Sequence, residues 1–273
     1  MKFYSSLICP VCGEKVQANE KSVVCSNGHS FDIAKEGYVN LLSSSHKSGD
    51  LMGDNKSMAL CRRDFLNSGK FASLANFIAN KAEKIKKENP VILDTCCGEG
   101  YYSQKVLEKK KCELYGFDLS KNMIRLAAKR KLDASFFVAN LSHIPIKSQS
   151  ADLAFHLFAP FHESEFSRIL KKDGVLLSGV PGENHLFELK EKLYEKPYKN
   201  DEKLPETALL TLLEKHKISA KITLTSNEDI QNLFIMTPYY SRTSQSDRNK
   251  LSELEFLETT VEFVVGEYIK AAL

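Results

Sequence analysis

Val91-Ile92-Leu93-Asp94-Thr95-Cys96-Cys97-Gly98-Glu99-Gly100-Tyr101 is the stretch whose reading decides the fold. Apolar residues lead to Asp94, small residues and two glycines follow, and a segment with helical spacing opens at Tyr101. That order reads as strand, tight turn, helix. Glycines let a backbone pass close to a ligand, and the carboxyl end of a strand is where doubly wound sheets bind theirs. Further along, Tyr115-Gly116-Phe117-Asp118-Leu119-Ser120 closes a second strand. An acidic residue about twenty positions beyond the glycine turn is placed for ribose hydroxyls, which makes Asp118 a candidate. Ala139-Asn140-Leu141, ahead of Ile144-Pro145, ends a third strand, where the Asn140 side chain and the local backbone suit an adenine edge.

The surrounding chain keeps the same alternation. Strands are predicted over residues 91–94, 113–118, 135–139, 151–156 and 174–180, with helices over 101–110, 121–130 and 163–170 between them. Ser120 is a natural N-cap for the second of these helices. Two helical stretches, 56–68 and 71–87, come before the deciding turn, and residues 43–55 read as a linker or mobile loop. Beyond Pro181, helices are expected near 185–193 and 206–215, and strands over 217–224 and 259–269. Strands separated by helices predict a mostly parallel sheet covered on both faces. The turn itself lacks the third glycine of a nicotinamide fingerprint, since Ser103 stands there. Leu93-Asp94 with only Gly98 and Gly100 resembles a methyltransferase turn more closely. Cys96 and Cys97, with no histidine near them in sequence, read as small buried residues rather than nucleophiles.

The N-terminal region carries a separate chemistry. Cys9-Pro10-Val11-Cys12-Gly13 and Cys25-Ser26-Asn27-Gly28-His29 place four soft or imidazole ligands in two close pairs. A closed tetrahedral zinc site needs such pairs. Gly13 and Gly28 supply the positive φ that the ligand turns require. Four protein ligands leave no open coordination position, so one structural zinc is expected on Cys9, Cys12, Cys25 and His29.

Composition bounds the class. The 273 residues are 42% hydrophobic and 27% charged, ordinary values for a globular protein. No apolar run approaches the ~20 residues that cross a bilayer, and Met1-Lys2-Phe3-Tyr4-Ser5 does not resemble a signal peptide. A cytoplasmic protein without a membrane partner is expected. Seven cysteines, an odd number, argue for metal ligands and free thiols over a disulfide framework. A net charge of +3 decides little. Local basic stretches at 109–111 and 125–131 are solvated faces by themselves, although such patches also suit nucleic acid.

Taken together, these segments resemble the bacterial 23S rRNA (guanine-N1)-methyltransferase family over essentially the whole chain. The resemblance is carried by the zinc quartet, by Phe31-Asp32-Ile33-Ala34-Lys35-Glu36-Gly37-Tyr38-Val39-Asn40-Leu41-Leu42, by Cys97-Gly98-Glu99-Gly100-Tyr101-Tyr102, by Pro181-Gly182-Glu183-Asn184-His185-Leu186 and by Met236-Thr237-Pro238. It implies a Rossmann-like class I α/β methyltransferase, doubly wound, with a small N-terminal zinc-binding module. The division expected is a zinc-binding RNA-recognition module at 1–45, a linker and helical segment at 46–88, and the methyltransferase domain at 89–273. It also implies S-adenosylmethionine as cofactor, a 23S rRNA hairpin as partner, and a homodimer. Cofactor contacts carried over by the resemblance fall on Phe71, Gly98, Glu99, Asp118 and His185. Asp94, Gly100, Asn140 and Leu141 join them from the reading of the strand ends. Phe71 stands where a relative has tyrosine, and Cys96 stands where the family usually has glycine.

Methylation of guanine N1 requires a group that accepts or manages the N1 proton. After the fourth strand the chain reads Phe158-Ala159-Pro160-Phe161-His162-Glu163, unlike the Asn-Pro-Pro-Tyr signature of exocyclic amine methylation. His162 and Glu163 are the weak candidates for a base, set against a plain helix-start role. Phe158 and Phe161 are candidates to stack on a flipped guanine, set against ordinary core packing. RNA contact is expected on the zinc module, Lys35, Tyr38, His46–Lys47 and Arg62–Arg63. Competing readings are a methyltransferase acting on tRNA or a small molecule, and an inactive RNA-binding relative.

Overall fold

The computed structural model describes residues 5–42 and 55–271. The small sheet comes first, from β1 (Val16–Ala18), β2 (Ser22–Cys25) and β3 (Ser30–Asp32), paired antiparallel in that order. β4 (Val39–Asn40) leaves this module and pairs in parallel with the edge of the large sheet. Helices α1 (Lys56–Asn67) and α2 (Ala72–Glu83) follow. The alternating region then runs β5 (Val91–Thr95), α3 (Tyr101–Lys109), β6 (Glu113–Asp118), α4 (Lys121–Lys129), β7 (Ala134–Val138), β8 (Ala151–Leu157), α5 (Glu163–Ile169) and β9 (Leu170–Pro181). The last elements are α6 (Phe187–Leu193), β10 (Leu210–Leu224), α7 (Asn227–Ile235), the short α8 (Tyr239–Arg242) and α9 (Gln245–Asn249), and β11 (Leu257–Lys270).

The large sheet has eight strands in the order β10-β11-β9-β8-β5-β6-β7-β4. Pairing is parallel from β9 to β4 and antiparallel across β9, β11 and β10. The reversal of strand order falls between β5 and β8, which are parallel, so their carboxyl ends form the crevice where an open α/β sheet binds ligands. The methyltransferase fold class read from the sequence is the one observed.

Period-two alternation divides the core. On β6, Leu114 faces the layer that holds α2, α3 and α4, while Tyr115 and Phe117 face the opposite layer, which includes the zinc module. The module is anchored there: Ile8 N donates to Pro145 O, and Ser6 N donates to the Tyr115 hydroxyl, each at 3.0 Å. Apolar burial of Leu7, Val16, Val23 and Val39 thus joins the small sheet to the large one.

Ser120 caps α4 as expected, its side chain accepting from Met123 N. One expected element is corrected. Residues 206–215 do not form a helix; most of them enter β10, where Leu210 pairs with Lys270 and Thr211 with Ile269. The Leu209-Leu210 and Leu212-Leu213 doublets mimic helical spacing, but fourteen residues of β11 offer a ladder that local propensity cannot match. The helix α7 was not expected, although Ser226 caps it by accepting from Asp229 N.

Candidate functional site

The zinc quartet converges. Cys12 Sγ and Cys25 Sγ lie 3.7 Å apart, and His29 Nδ1 lies 3.4 Å from Cys25 Sγ and 3.6 Å from Cys9 Sγ. A tetrahedron with Zn–S and Zn–N bonds of ordinary length has edges of about 3.8 Å between sulfurs and about 3.5 Å from sulfur to nitrogen. The four side chains therefore already hold the spacing that one structural zinc ion requires. Val11 N points at Cys9 Sγ from 3.4 Å. The Glu14 amide beside Cys12 brings that thiol down to about 6, into its ligating thiolate form. Gly13 and Gly28 adopt φ of +76° and +81° in the ligand turns.

The turn after β5 is built from three positive-φ residues, Cys96 (+62°), Gly98 (+55°) and Gly100 (+86°). The two glycines adopt this region freely; Cys96 does so with a Cβ. Gly98 N donates to Asp118 Oδ2 at 3.0 Å, and Ser120 N to Asp118 Oδ1 at 2.8 Å. Asp118 is thus fixed at the lip of the turn from the neighbouring strand. A Cβ on Gly100 would lie 3.2 Å from Ala127 Cβ, so glycine there permits α4 to pack against the turn. Asp94 is buried beneath it, accepts from Ser103 Oγ at 2.6 Å, and is pushed up to about 8 by burial.

Glu99 is directed elsewhere. Its buried carboxylate is paired with Arg130, which also bonds Gln104 and Asn67. The pair locks the turn to α4. Asn140 Oδ1 accepts from Ser142 N at 3.0 Å, shaping the loop after β7, and Leu141 is buried beside it.

A pocket of about 500 Å³ opens at the carboxyl ends of β8 and β9, within the size range of small-molecule sites. Phe71 and His185 both line it, with ring centroids 5.8 Å apart. Arg62 reaches across the turn, its Cδ 4.0 Å from the place a Gly98 Cβ would take, and donates to Met236 O at 3.1 Å. Tyr102 also lines the pocket, and its buried hydroxyl has no hydrogen-bond partner among the described residues. His185 Nδ1 accepts from Glu262 N at 3.2 Å, and burial brings its pKa down to about 3. It is therefore neutral, with its proton on Nε2. No Asp or Glu lines the pocket among the described residues. The Phe71 ring and a neutral imidazole against apolar walls fit S-adenosylmethionine, whose adenosine needs a dry slot.

Two phenylalanines that sequence could not separate part company here. Phe158 lines the pocket, is 41% exposed and holds φ of +58°, an uncommon value for a bulky residue. Phe161 instead packs on His156, Phe166 and Tyr268. His162 is the N-cap residue of α5, and Glu163 accepts from Leu209 N at 2.5 Å; neither lines the pocket. Tyr38 is buried and Arg62 belongs to the pocket, whereas His46 and Lys47 lie outside the described residues. Tyr102 and Tyr239 are pocket residues that sequence reasoning missed, because they meet only through the packing of α3 and α8. The adjacency of Tyr102 to the glycine turn was the one available signal.

Comparison with known proteins places this geometry. Residues 7–49 match the family model described as RlmA, N-terminal, and residues 92–174 match that described as methyltransferase domain. A 23S rRNA (guanine(748)-N(1))-methyltransferase of Streptomyces fradiae is 34% identical over 68% of this chain and 67% of its own. A putative 23S rRNA (guanine-N(1)-)-methyltransferase of Bacillus subtilis is 32% identical over 70% of each chain. Among solved structures, a putative methyltransferase from Bacillus halodurans aligns with 71% of this chain and 99% of its own, at 17% identity and a TM-score of 0.47.

Proposed function

The chain belongs to the 23S rRNA (guanine-N1)-methyltransferase family, and from that premise we propose that it methylates N1 of one guanine in a hairpin of 23S rRNA. S-adenosylmethionine supplies the electrophilic methyl group. The observation that carries the reading is the pocket beside the glycine turn. It combines an exposed aromatic ring, Phe158, with donors on Arg62, Tyr102 and His185 and with no carboxylate in its described lining.

That donor set suits a ring nitrogen whose proton must leave. Loss of the N1 proton to water at the pocket mouth moves negative charge onto guanine O6, and donors in a low-dielectric pocket stabilise such charge. Arg62 offers a permanent cation on the pocket wall. Phe158, held at the rim, stacks on the base extruded from its helix. Apolar walls from Leu66, Met236 and Pro238 keep water from the reacting atoms. Asp118 holds the ribose end of the cofactor, and Phe71 with His185 the methionine end.

The zinc module grips the RNA in this reading, and a cytoplasmic site of action follows from the substrate. A homodimer is favoured by the sheet edge. At one end of the fifteen-residue edge strand β10, Leu212 and Leu213 are 44% and 56% exposed, a small apolar patch that a second copy would cover.

The deciding experiment is transfer from labelled S-adenosylmethionine to unmethylated large-subunit rRNA, with the product nucleotide identified by mass spectrometry. Expected is 1-methylguanosine at one hairpin position. Cofactor binding without transfer to rRNA would sink the proposal and turn attention to tRNA or small acceptors.

A further inference from the structure

Helix α1 is the wall between two recesses. Met58, Arg62 and Leu66 line the pocket at the strand ends, while Lys56, Ala59, Leu60, Arg63 and Asn67 line a second recess of about 350 Å³ against α4. At 100° per residue the two sets lie roughly 120° apart on a helix about 10 Å wide. α4 completes the second recess with Asn122, Arg125, Leu126, Lys129 and Arg130.

The chemistry of this recess is one-sided. Five of its lining residues are Lys or Arg, two are Asn, and none is acidic. Three of the basic groups are paired with acids that do not themselves line the recess. Arg125 Nε donates to Glu36 at 2.6 Å, Arg63 Nε to Asp64 at 2.8 Å, and Arg130 is fixed on Glu99. Lys56, Arg125 and Lys129 are exposed. Planar guanidinium and amide groups around a concave floor suit phosphate oxygens.

Position supplies the partner. Glu36 belongs to the stretch that leaves the zinc module, so the Arg125–Glu36 bond ties the recess to that module. Across one helix width lies the pocket with Phe158. We propose that the recess between α1 and α4 is a phosphate-binding site that seats the RNA backbone flanking the target guanine. The inference rests on the rRNA methyltransferase reading, and it adds where the strand runs: from the zinc module, over Arg125 and Lys129, across α1, with the base turned into the pocket.

The test uses the full-length zinc-loaded protein and a transcript of the rRNA hairpin. Affinity is measured against salt for wild type, for the double variant Lys56→Gln/Lys129→Gln, and for Lys109→Gln/Lys111→Gln as a basic control elsewhere on the surface. Each lost phosphate contact lowers the salt slope by roughly 0.7–0.9. The recess variant should therefore lose about 1.5 from its slope and bind roughly tenfold more weakly at moderate salt. Its zinc content and cofactor affinity should stay at wild-type values, and the control should keep both its slope and its RNA affinity. An unchanged slope in the recess variant, with wild type binding RNA normally, overturns the site and leaves the enzyme reading standing. Weakened cofactor binding in that variant assigns the recess to the cofactor and equally overturns it. If wild type itself shows no salt-dependent RNA binding, both readings fall together.

Discussion

Thr95 Oγ1 and His156 Nδ1 lie 2.9 Å apart, and the same imidazole places Nε2 3.0 Å from Ala159 O. The end of the cofactor strand β5 is thereby bonded through one buried ring to the loop that carries Phe158. On the other side, Phe158 N donates to Gly179 O at 3.0 Å. These bonds hold a positive-φ phenylalanine at the pocket rim, where strain persists only if the surroundings over-determine it.

Replacing His156 with Leu removes both bonds and leaves Ala159 O without its donor. The expected cost is about 1–3 kcal/mol of stability. The maximal rate should fall more than cofactor affinity, because the loop moves while the glycine turn does not. Denaturant unfolding with steady-state kinetics checks both; unchanged kinetics would detach His156 from the loop's function.

The buried histidines set an acid limit. Burial lowers His156 to about 4 and His185 to about 3, against an ordinary value near 6.5. In the unfolded chain both protonate as pH falls through about 6.5, whereas in the fold they remain neutral. Stability from these two groups is therefore complete above about 6.5 and is lost as pH falls towards 3–4, at about 1.4 kcal/mol per unit for each group. Between pH 6.5 and 4.5 these two losses outweigh the opposite contribution of Asp94, whose raised carboxyl favours the fold as pH falls, so unfolding free energies should decline, and more shallowly in His156→Gln.

Cys96 bears a Cβ at φ +62°, a region that costs a non-glycine residue roughly 1–2 kcal/mol. A glycine in its place removes that cost but adds chain entropy to the unfolded state. Cys96→Gly should gain about 0.5–1 kcal/mol on balance, and cofactor affinity should rise or hold in calorimetry. A loss of stability would mean that the thiol's packing outweighs the backbone strain.

Removal of zinc should melt one sheet and spare the other. Cys12→Ser breaks a tetrahedron whose edges already match the ion, and the three-stranded sheet has few apolar residues of its own to hold it. Zinc content should drop to background, hairpin affinity should fall, and cofactor binding should remain within about twofold, since Gly98 and Asp118 lie on the large sheet. Loss of cofactor binding in step with zinc would show that the module supports the large sheet through Tyr115 and Pro145.

The parts of the site that sequence made legible are those fixed over short range. Cys9 with Cys12, Cys25 with His29, and Gly98 with Gly100 each declare their chemistry within a few residues. Asp118 was legible because one strand-helix-strand unit sets its distance from the turn. The pocket was not, because Arg62, Tyr102, His185 and Met236 come from four separate elements and meet only after the sheet has closed. Glu99, a cofactor contact that the resemblance implies, turns its side chain to Arg130 at the end of α4, a pairing that spacing alone does not show. β10 was misread for the converse reason, its local leucine pattern yielding to a partner strand far along the chain.

Phe158 and Phe161 differ in what surrounds them, and the proposed stacking role falls on Phe158 alone. Phe158 is partly exposed in the pocket and touches Phe263 at a centroid distance of 5.6 Å, whereas Phe161 is clasped by Phe166 at 4.9 Å. Stacking of a base on an aromatic ring is worth about 1–3 kcal/mol. Phe158→Ala should therefore reduce kcat/KM for rRNA by roughly 5- to 150-fold, with little change in stability because the side chain leaves a rim and not a core. Phe161→Ala should do the opposite, costing about 2 kcal/mol of stability through lost packing while the surviving folded enzyme turns over normally. Parallel thermal unfolding and methyl-transfer assays on both variants decide the assignment. A stability loss in Phe158→Ala with normal turnover would place the stacking ring elsewhere on the pocket wall, with Tyr239 the next aromatic that lines it.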